Sequence, residues 1–235
     1  MPSIQLAAPV NRLLAALPER GLRRLMAGCE MVELAFAEVL GTPDERIGHV
    51  YFPTSSFVSL IMPVDDSASL EVGLIGNEGM VGIPLALGVD ISPVRAVVQG
   101  AGLALRMNAP RFRRELRSSH ALRREIDRYV SVQLTQLAQM AACTRFHVVE
   151  ARLARWLLMT QDRAHADSFH VTQEFLALML GVRRVGVTKA AGALQKRRLI
   201  RYSRGDITVL DRRGLKAASC GCYQADRESY DRIFA

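Results

Sequence analysis

The sequence is sparing with the residues that staple, anchor or catalyse. Its cysteines, Cys29, Cys143, Cys220 and Cys222, are scattered through 235 residues, too few and too dispersed for a disulfide framework, and reduced thiols are expected. Cys220-Gly221-Cys222 could hold a metal or act as a redox pair, but it lacks a second ligand pair at finger-like spacing. His49, His120, His147, His165 and His170 never fall three or four residues apart, the interval that puts two imidazoles on one helical face. No metal and no cofactor is therefore expected. No apolar run approaches the ~18 residues that cross a bilayer, since Met80 to Val89 is already broken by glycines and Pro84. A basic cluster followed by an apolar core and a cleavage site is missing at the amino terminus, so a cytoplasmic protein without membrane association is expected. No glycine-rich loop sits between a strand and a helix to cradle phosphates. Ser55-Ser56, Asp65-Asp66 and Glu71 have no matched base, nucleophile and oxyanion donor, and enzymatic activity is not expected.

Acidic residues are also in short supply. The formal net charge is +8, and the imbalance is concentrated near the carboxy terminus. Between Ser168 and Lys216 the bases are Arg183, Arg184, Lys189, Lys196, Arg197, Arg198, Arg201, Arg204, Arg212, Arg213 and Lys216, opposed by Glu174, Asp206 and Asp211. A polyanion partner follows, because neutralising phosphates releases condensed counterions.

The pattern changes twice along the chain. From Pro9 to about Met31, Leu13, Leu14, Leu17, Leu22, Leu25 and Met26 recur at helical spacing, with Pro18 dividing two short helices. After Glu33 come short β-like runs at 50–52, 57–61, 70–75, 96–98 and 103–105, separated by Gly, Pro, Asp and Ser. They predict a small barrel or sandwich with a hairpin tip at Asp65-Asp66-Ser67. From Pro110 to about Thr144 the chain reads as helix without internal proline or glycine. Leu122, Ile126, Tyr129, Gln133, Leu137 and Met140 form a stripe that could face the chain's own β domain or a second copy. No internal repeat is present.

The last third opens with an amphipathic helix carrying Leu153, Trp156, Leu157 and Met159, ended by Ala166-Asp167-Ser168. A short β segment at Phe169-His170-Val171 follows. The run from Thr172 to Arg198 then has the spacing of two helices crossing at a tight turn. Ala177 is small where a helix must approach, Gly181 supplies positive φ, and Val182, Val187 and Ala190 return to a shared core. The positions between them point outward, and several are basic. Leu199 to Ser203 and Ile207 to Leu210 flank Arg204-Gly205-Asp206, a hairpin signature and hence a wing.

Three stretches carry a resemblance. Thr172-Gln173-Glu174 leads through Leu176-Ala177 and Met179-Leu180-Gly181-Val182-Arg183-Arg184 to Val187-Thr188; Ile75 to Pro84 and Leu210 to Leu215 with Cys220-Gly221-Cys222-Tyr223 are the others. In these, and in the order of a β-rich domain, a long helix and a winged helix-turn-helix, the chain resembles the Crp/Fnr family of bacterial transcription regulators. The resemblance implies an α+β fold: a β-roll sensor domain over 1–108 with amino-terminal helices, a dimerisation helix over 109–146, and a winged helix-turn-helix over 147–235. It implies a homodimer on an inverted repeat of double-stranded DNA, with RNA polymerase as a further partner.

The family's base-reading positions fall on Arg184, Val185 and Lys189. Arg184 could donate two hydrogen bonds to guanine O6 and N7, whereas Val185 stands where relatives often have a cytosine-reading glutamate and offers only contact to a thymine methyl. Arg183, Thr188, Lys196 and Arg197, with Thr172, Gln173, Arg201 and Arg204, would meet phosphates. The effector pocket of the β-roll would involve Glu78, Gly79, Gly82, Ile83 and Arg95. Cyclic-nucleotide binders in the family have a glycine-glutamate pair and, about ten residues on, an arginine-serine pair. Here Gly82 precedes Ile83, and the later positions fall on Pro93 and Val94, so an unidentified small-molecule signal other than cyclic AMP is expected. Arg95 could restore one cation under a shifted alignment. No amino-terminal cysteine cluster exists to hold iron and sulfur. The alternative to a DNA-binding regulator is a β-roll sensor or scaffold acting through protein contacts, with a degenerate DNA-binding domain.

Overall fold

The computed structural model describes residues 11–64 and 68–234. Pro9 and the expected tip at Asp65-Asp66-Ser67 lie outside the described residues. Two short helices, α1 (Arg12–Ala15) and α2 (Glu19–Met26), flank Pro18, which occupies the N-cap of α2. Asn11 anchors them. Its side chain accepts from Leu14 N–H and donates to the carbonyls of Pro53 and Gly79 at 2.9 and 2.7 Å, which satisfies a polar group that is fully buried. Leu13, Leu14, Leu17 and Leu25 are buried, and Leu22 and Met26 half-buried, as their spacing predicts.

Seven strands follow: β1 (Glu30–Leu34), β2 (Val39–Gly41), β3 (His49–Pro53), β4 (Phe57–Pro63), β5 (Ser69–Ile75), β6 (Arg95–Gly100) and β7 (Gly102–Asn108). They form sheets in the orders β1-β7-β3 and β2-β6-β4-β5. All five runs expected from the sequence are strands. β1 and β2 were not predicted: β1 buries only Leu34 and so lacks the alternation that marks a half-buried strand, and β2 is three residues long.

The single helix expected from Pro110 is two, α3 (Ala109–Ser118) and α4 (His120–Phe146). Asn108 caps α3 by accepting from Arg111 N–H at 2.9 Å. Ser119 takes an extended backbone, and its hydroxyl accepts from Leu122 N–H at 3.2 Å, so it closes one helix and caps the next. A serine inside a polar stretch carries no strong break signal, because mid-helix and capping serines look alike in sequence. The remaining elements are α5 (Val149–Ala164), β8 (Ser168–His170), α6 (Gln173–Leu180), α7 (Arg184–Lys196), β9 (Ile200–Ser203), β10 (Asp206–Val209), α8 (Arg212–Ala218) and α9 (Cys222–Phe234).

The chain divides into two compact units, one made of residues up to Ser59 with Ile75–Val130, the other of Leu60–Leu74 with Ser131–Ala235. In the first, Tyr129 of α4 is 1% exposed and packs beneath the loop after β5. In the second, α5 lies at the centre of a cluster that includes Leu153, Trp156, Leu157, Leu158, Leu176, Met179, Val187, Leu194, Ile207 and Leu215. Each such side chain stabilises the fold by about 1.5–3 kcal/mol relative to an exposed one. The Trp156 indole N–H also donates to Glu71 Oε1 at 3.0 Å, satisfying both groups in the same interior.

A Cβ at position 79 would collide with the Tyr129 hydroxyl and with its ring carbon Cζ, and the tyrosine is too enclosed to retreat. Gly79→Ala is therefore expected to destabilise the chain by about 1–3 kcal/mol, the usual cost of overpacking, measured as a lowered denaturant midpoint.

Candidate nucleic-acid interface

The pair α6 and α7 is set by local chemistry. Thr172 has extended backbone, and its hydroxyl accepts from Phe175 N–H at 3.1 Å, opening α6. Gly181 ends that helix at φ 60°, ψ 44°, with its N–H directed to the carbonyls of Ala177 and Leu178, so the left-handed turn expected from the sequence is present. Arg152 of α5, 7% exposed, donates to the carbonyl of Leu180. A guanidinium at a helix carboxy terminus meets both the unpaired carbonyls and the negative end of the dipole. Burial holds Arg152 below its ordinary pKa, the neighbouring cysteines opposing that effect. Nothing in the sequence marked this residue except that an arginine interrupts the apolar face of α5.

Beyond the turn, α7 buries Val187, Ala190, Ala191 and Leu194, the i, i+3, i+4, i+7 stripe of a helix packed on one side. Arg184, Val185, Thr188 and Lys189 are consequently on the open side, and all are exposed. Val185 is 58% exposed, an apolar side chain that the chain's own core does not use. Arg183, Lys196 and Arg197 lie at the two ends of the helix, the lysine and Arg197 exposed with it. Gly186 and Gly192 interrupt the helix, yet a Cβ at 186 would touch Val182 only at ordinary distance, and one at 192 would meet nothing. Packing within the chain does not require either glycine.

The face carries its own counterions. Arg184 pairs with Glu174 at 3.1 Å and Arg197 with Glu150 at 3.0 Å, both in the open. Such pairs contribute about 0–1 kcal/mol, less than the roughly 1–3 kcal/mol a bidentate arginine–guanine contact is worth, so a base edge can displace the carboxylate. The Thr188 hydroxyl donates to Gln173 Oε1 at 2.7 Å and lies 3.1 Å from the Arg184 carbonyl. Two residues expected at phosphates thus hold one another and tie α6 to α7.

The wing is a three-stranded sheet in the order β8-β10-β9. Ser203 pairs with Asp206 across Arg204 and Gly205, whose φ values are 52° and 89°, the two-residue turn with both centres positive. Arg201 and Arg204 are exposed on it. Tyr202 is half-buried: its hydroxyl donates to the Val171 carbonyl at 2.7 Å and its N–H to Gln195 Oε1 at 2.7 Å. Burial raises its pKa, with Arg184 opposing, which keeps it a donor and makes it part of the frame. Below the wing, Arg212 binds Gln161, Asp162 and the Tyr223 hydroxyl. Burial alone would lower its pKa, but Asp162 and Tyr223 hold it above the ordinary value.

The other expected site residues lie in the β-rich part of the chain and along α4. In the first unit, Glu78 is half-buried and accepts from Gly76 N–H, Gly82 sits at φ 96° capping a 3-10 turn (Ile83–Leu87), and Arg95 is exposed at the start of β6. Gly79 is filled from behind by Tyr129. The stripe on α4 divides: Leu122, Ile126 and Tyr129 are buried, whereas Gln133 and Met140 are half-buried and Leu137 is 42% exposed, beside Leu134 at 63%.

The model of the Crp-like helix-turn-helix domain matches residues 151–218. No curated protein matches the chain. Among solved structures, FixK2 from Bradyrhizobium japonicum superposes with a TM-score of 0.69 at 13% identity, over 82% of this chain and 98% of that one. The c-di-GMP responsive global regulator CLP of Xanthomonas campestris does so with 0.67 at 19% identity, over 82% and 99%. A Crp/Fnr family transcriptional regulator from Thermus thermophilus gives 0.67 at 21% identity, over 81% and 98%. The chain thus carries a Crp-like helix-turn-helix domain within the fold of the Crp/Fnr transcription regulators.

Proposed function

We propose that this protein is a sequence-specific DNA-binding transcription regulator that acts as a homodimer on an inverted-repeat operator. The observation that carries the reading is the outward face of α7, where Arg184, Val185 and Lys189 stand clear of a helix whose opposite stripe is buried. An exposed helix with bases and no core duty fits the major groove. Arg183, Lys196, Arg197, Arg201 and Arg204 surround that face and would neutralise phosphates, with Thr172, Gln173 and Thr188 at the edge where α6 meets α7. A degenerate domain would have no reason to keep so many cations around one face, so the scaffold reading is not favoured.

In this reading the three parts of the chain, 1–108, 109–146 and 147–235, sense, pair and bind DNA. The pairing surface is the distal half of α4, since Leu122, Ile126 and Tyr129 are occupied within the first unit while Leu134 and Leu137 are open. The signal is a small molecule other than cyclic AMP. Ile83 cannot accept from a ribose hydroxyl, and Pro93 and Val94 cannot neutralise a phosphate. RNA polymerase is the further partner of a DNA-bound regulator, and the cytoplasm the compartment where both are met.

Sites selected by the purified protein from a random duplex library are expected to share an inverted repeat. At such a site Arg184→Ala should weaken binding about 5–150-fold, the equivalent of roughly 1–3 kcal/mol, with little change on unrelated DNA. Equal affinity of the wild-type protein for every duplex would sink the proposal. Val185→Glu is expected to move the preference at one base pair of each half-site toward cytosine, read by repeating the selection. Leu137→Glu should shift the sedimentation profile toward monomer and weaken operator binding in parallel, while circular dichroism stays unchanged.

A further inference from the structure

Cys220-Gly221-Cys222 leads from α8 into α9, whose first residue is Cys222, and has no partner at a spacing visible in the sequence. The fold supplies one. Cys143 is in the last turn of α4, and His147, whose N–H donates to the Cys143 carbonyl at 3.1 Å, continues that turn so that both side chains share a face. The three sulfurs and one imidazole nitrogen all lie within 4.8 Å of one another. Cys143 Sγ is 3.6 Å from Cys220 Sγ, and His147 Nδ1 is 3.5 Å from Cys222 Sγ.

The two shorter separations match edges of a coordination tetrahedron, and the four atoms converge on one point. With zinc–sulfur bonds of about 2.3 Å and zinc–nitrogen bonds of about 2.0–2.1 Å, tetrahedral angles put sulfur about 3.8 Å from sulfur and about 3.5 Å from nitrogen. Cysteines gathered only for packing would not need an imidazole nitrogen turned into the same point. The surroundings also suit thiolates. Gln139 Nε2 donates to Cys222 Sγ at 3.0 Å, and Arg155 Nη1 lies 4.0 Å from Cys143 Sγ. Arg155 is 5% exposed and binds Asp226 through its other nitrogen, so a fixed cation faces the charge that three thiolates and one divalent ion would leave. The three cysteines are buried and the histidine is exposed, which leaves one side for entry.

We propose that Cys143, His147, Cys220 and Cys222 bind a structural zinc ion, with Gln139 and Arg155 as outer partners. Four protein ligands close the coordination sphere, which distinguishes a structural from a catalytic centre. All four belong to the second unit, where the ion would fasten the end of α4 to the start of α9. Binding requires loss of the thiol protons to solvent and no electron transfer. The site is independent of the DNA-binding reading, and its test involves no DNA.

The experiment is metal analysis of the untagged full chain, expressed with zinc and purified anaerobically, followed by exchange with cobalt(II). The expected result is about one zinc per chain and, with cobalt, a thiolate charge-transfer band together with the intense visible bands of a tetrahedral centre. Cys222→Ser should abolish both signals, and Cys29→Ser should leave them intact. Should the cysteine variants fail to fold, His147→Asn at the exposed position keeps every thiol, and Gln139→Ala keeps every ligand. Gln139→Ala is expected to weaken zinc binding about 10–100-fold, as loss of an outer partner does, and His147→Asn to weaken it further with an altered cobalt spectrum. A zinc-free protein that develops no charge-transfer band would overturn the proposal. So would a Cys143–Cys220 disulfide in the anaerobic preparation, or cobalt spectra unchanged in His147→Asn.

Discussion

The burial of one side of α7 against α5 is the constraint from which the interface follows. Val187, Ala190, Ala191 and Leu194 occupy the cluster shared with Leu153, Trp156, Leu157 and Leu176, and the helix period leaves Arg184, Val185, Thr188 and Lys189 no inward direction. The turn at Gly181 delivers α7 to that groove, and the buried guanidinium of Arg152 holds the end of α6 that precedes it. The same apolar contacts that stabilise the domain therefore orient its polar face. The coupling is mainly geometric, although Thr172, Gln173 and Thr188 also fasten α6 and α7 themselves.

The energetic scale on that face is small. Its ion pairs to Glu174 and Glu150 are solvent-exposed and contribute little to stability, so exchanging them for nucleic acid requires no unfolding and only a rotamer change. More enclosed polar contacts are those of Arg152 with Leu180 and of Tyr202 with Val171. They fix the frame whose outer face is adjustable. An uncompensated buried arginine would be costly, and Arg152 is met by the Leu180 carbonyl.

Helix α4 shows how one periodic stripe can be divided between two tasks. Leu122, Ile126 and Tyr129 are consumed by packing in the first unit, and the distal residues retain exposed apolar surface at Leu134 and Leu137. A stripe in sequence has no label for its partner. At the end of the same helix, Cys143 and His147 meet residues 77 and 75 positions away in sequence, and there the helix acts as half of a ligand set.

Elements whose determinants are local were legible in the sequence. Gly181 at the turn, Arg204-Gly205 between β9 and β10 and the apolar spacing of α7 each carry their reason within a few residues, because positive φ and helix period act over short range. Strand β1, which buries little but Leu34, and the cap at Ser119 were not legible, since exposed edges and serines leave no periodic trace. Which half of α4 is covered, that Arg152 points into the domain and that Cys143 and His147 complete Cys220 and Cys222 were decided only in three dimensions. The reason is physical: burial and coordination depend on which distant segment closes over a side chain, and no short window of sequence contains that segment.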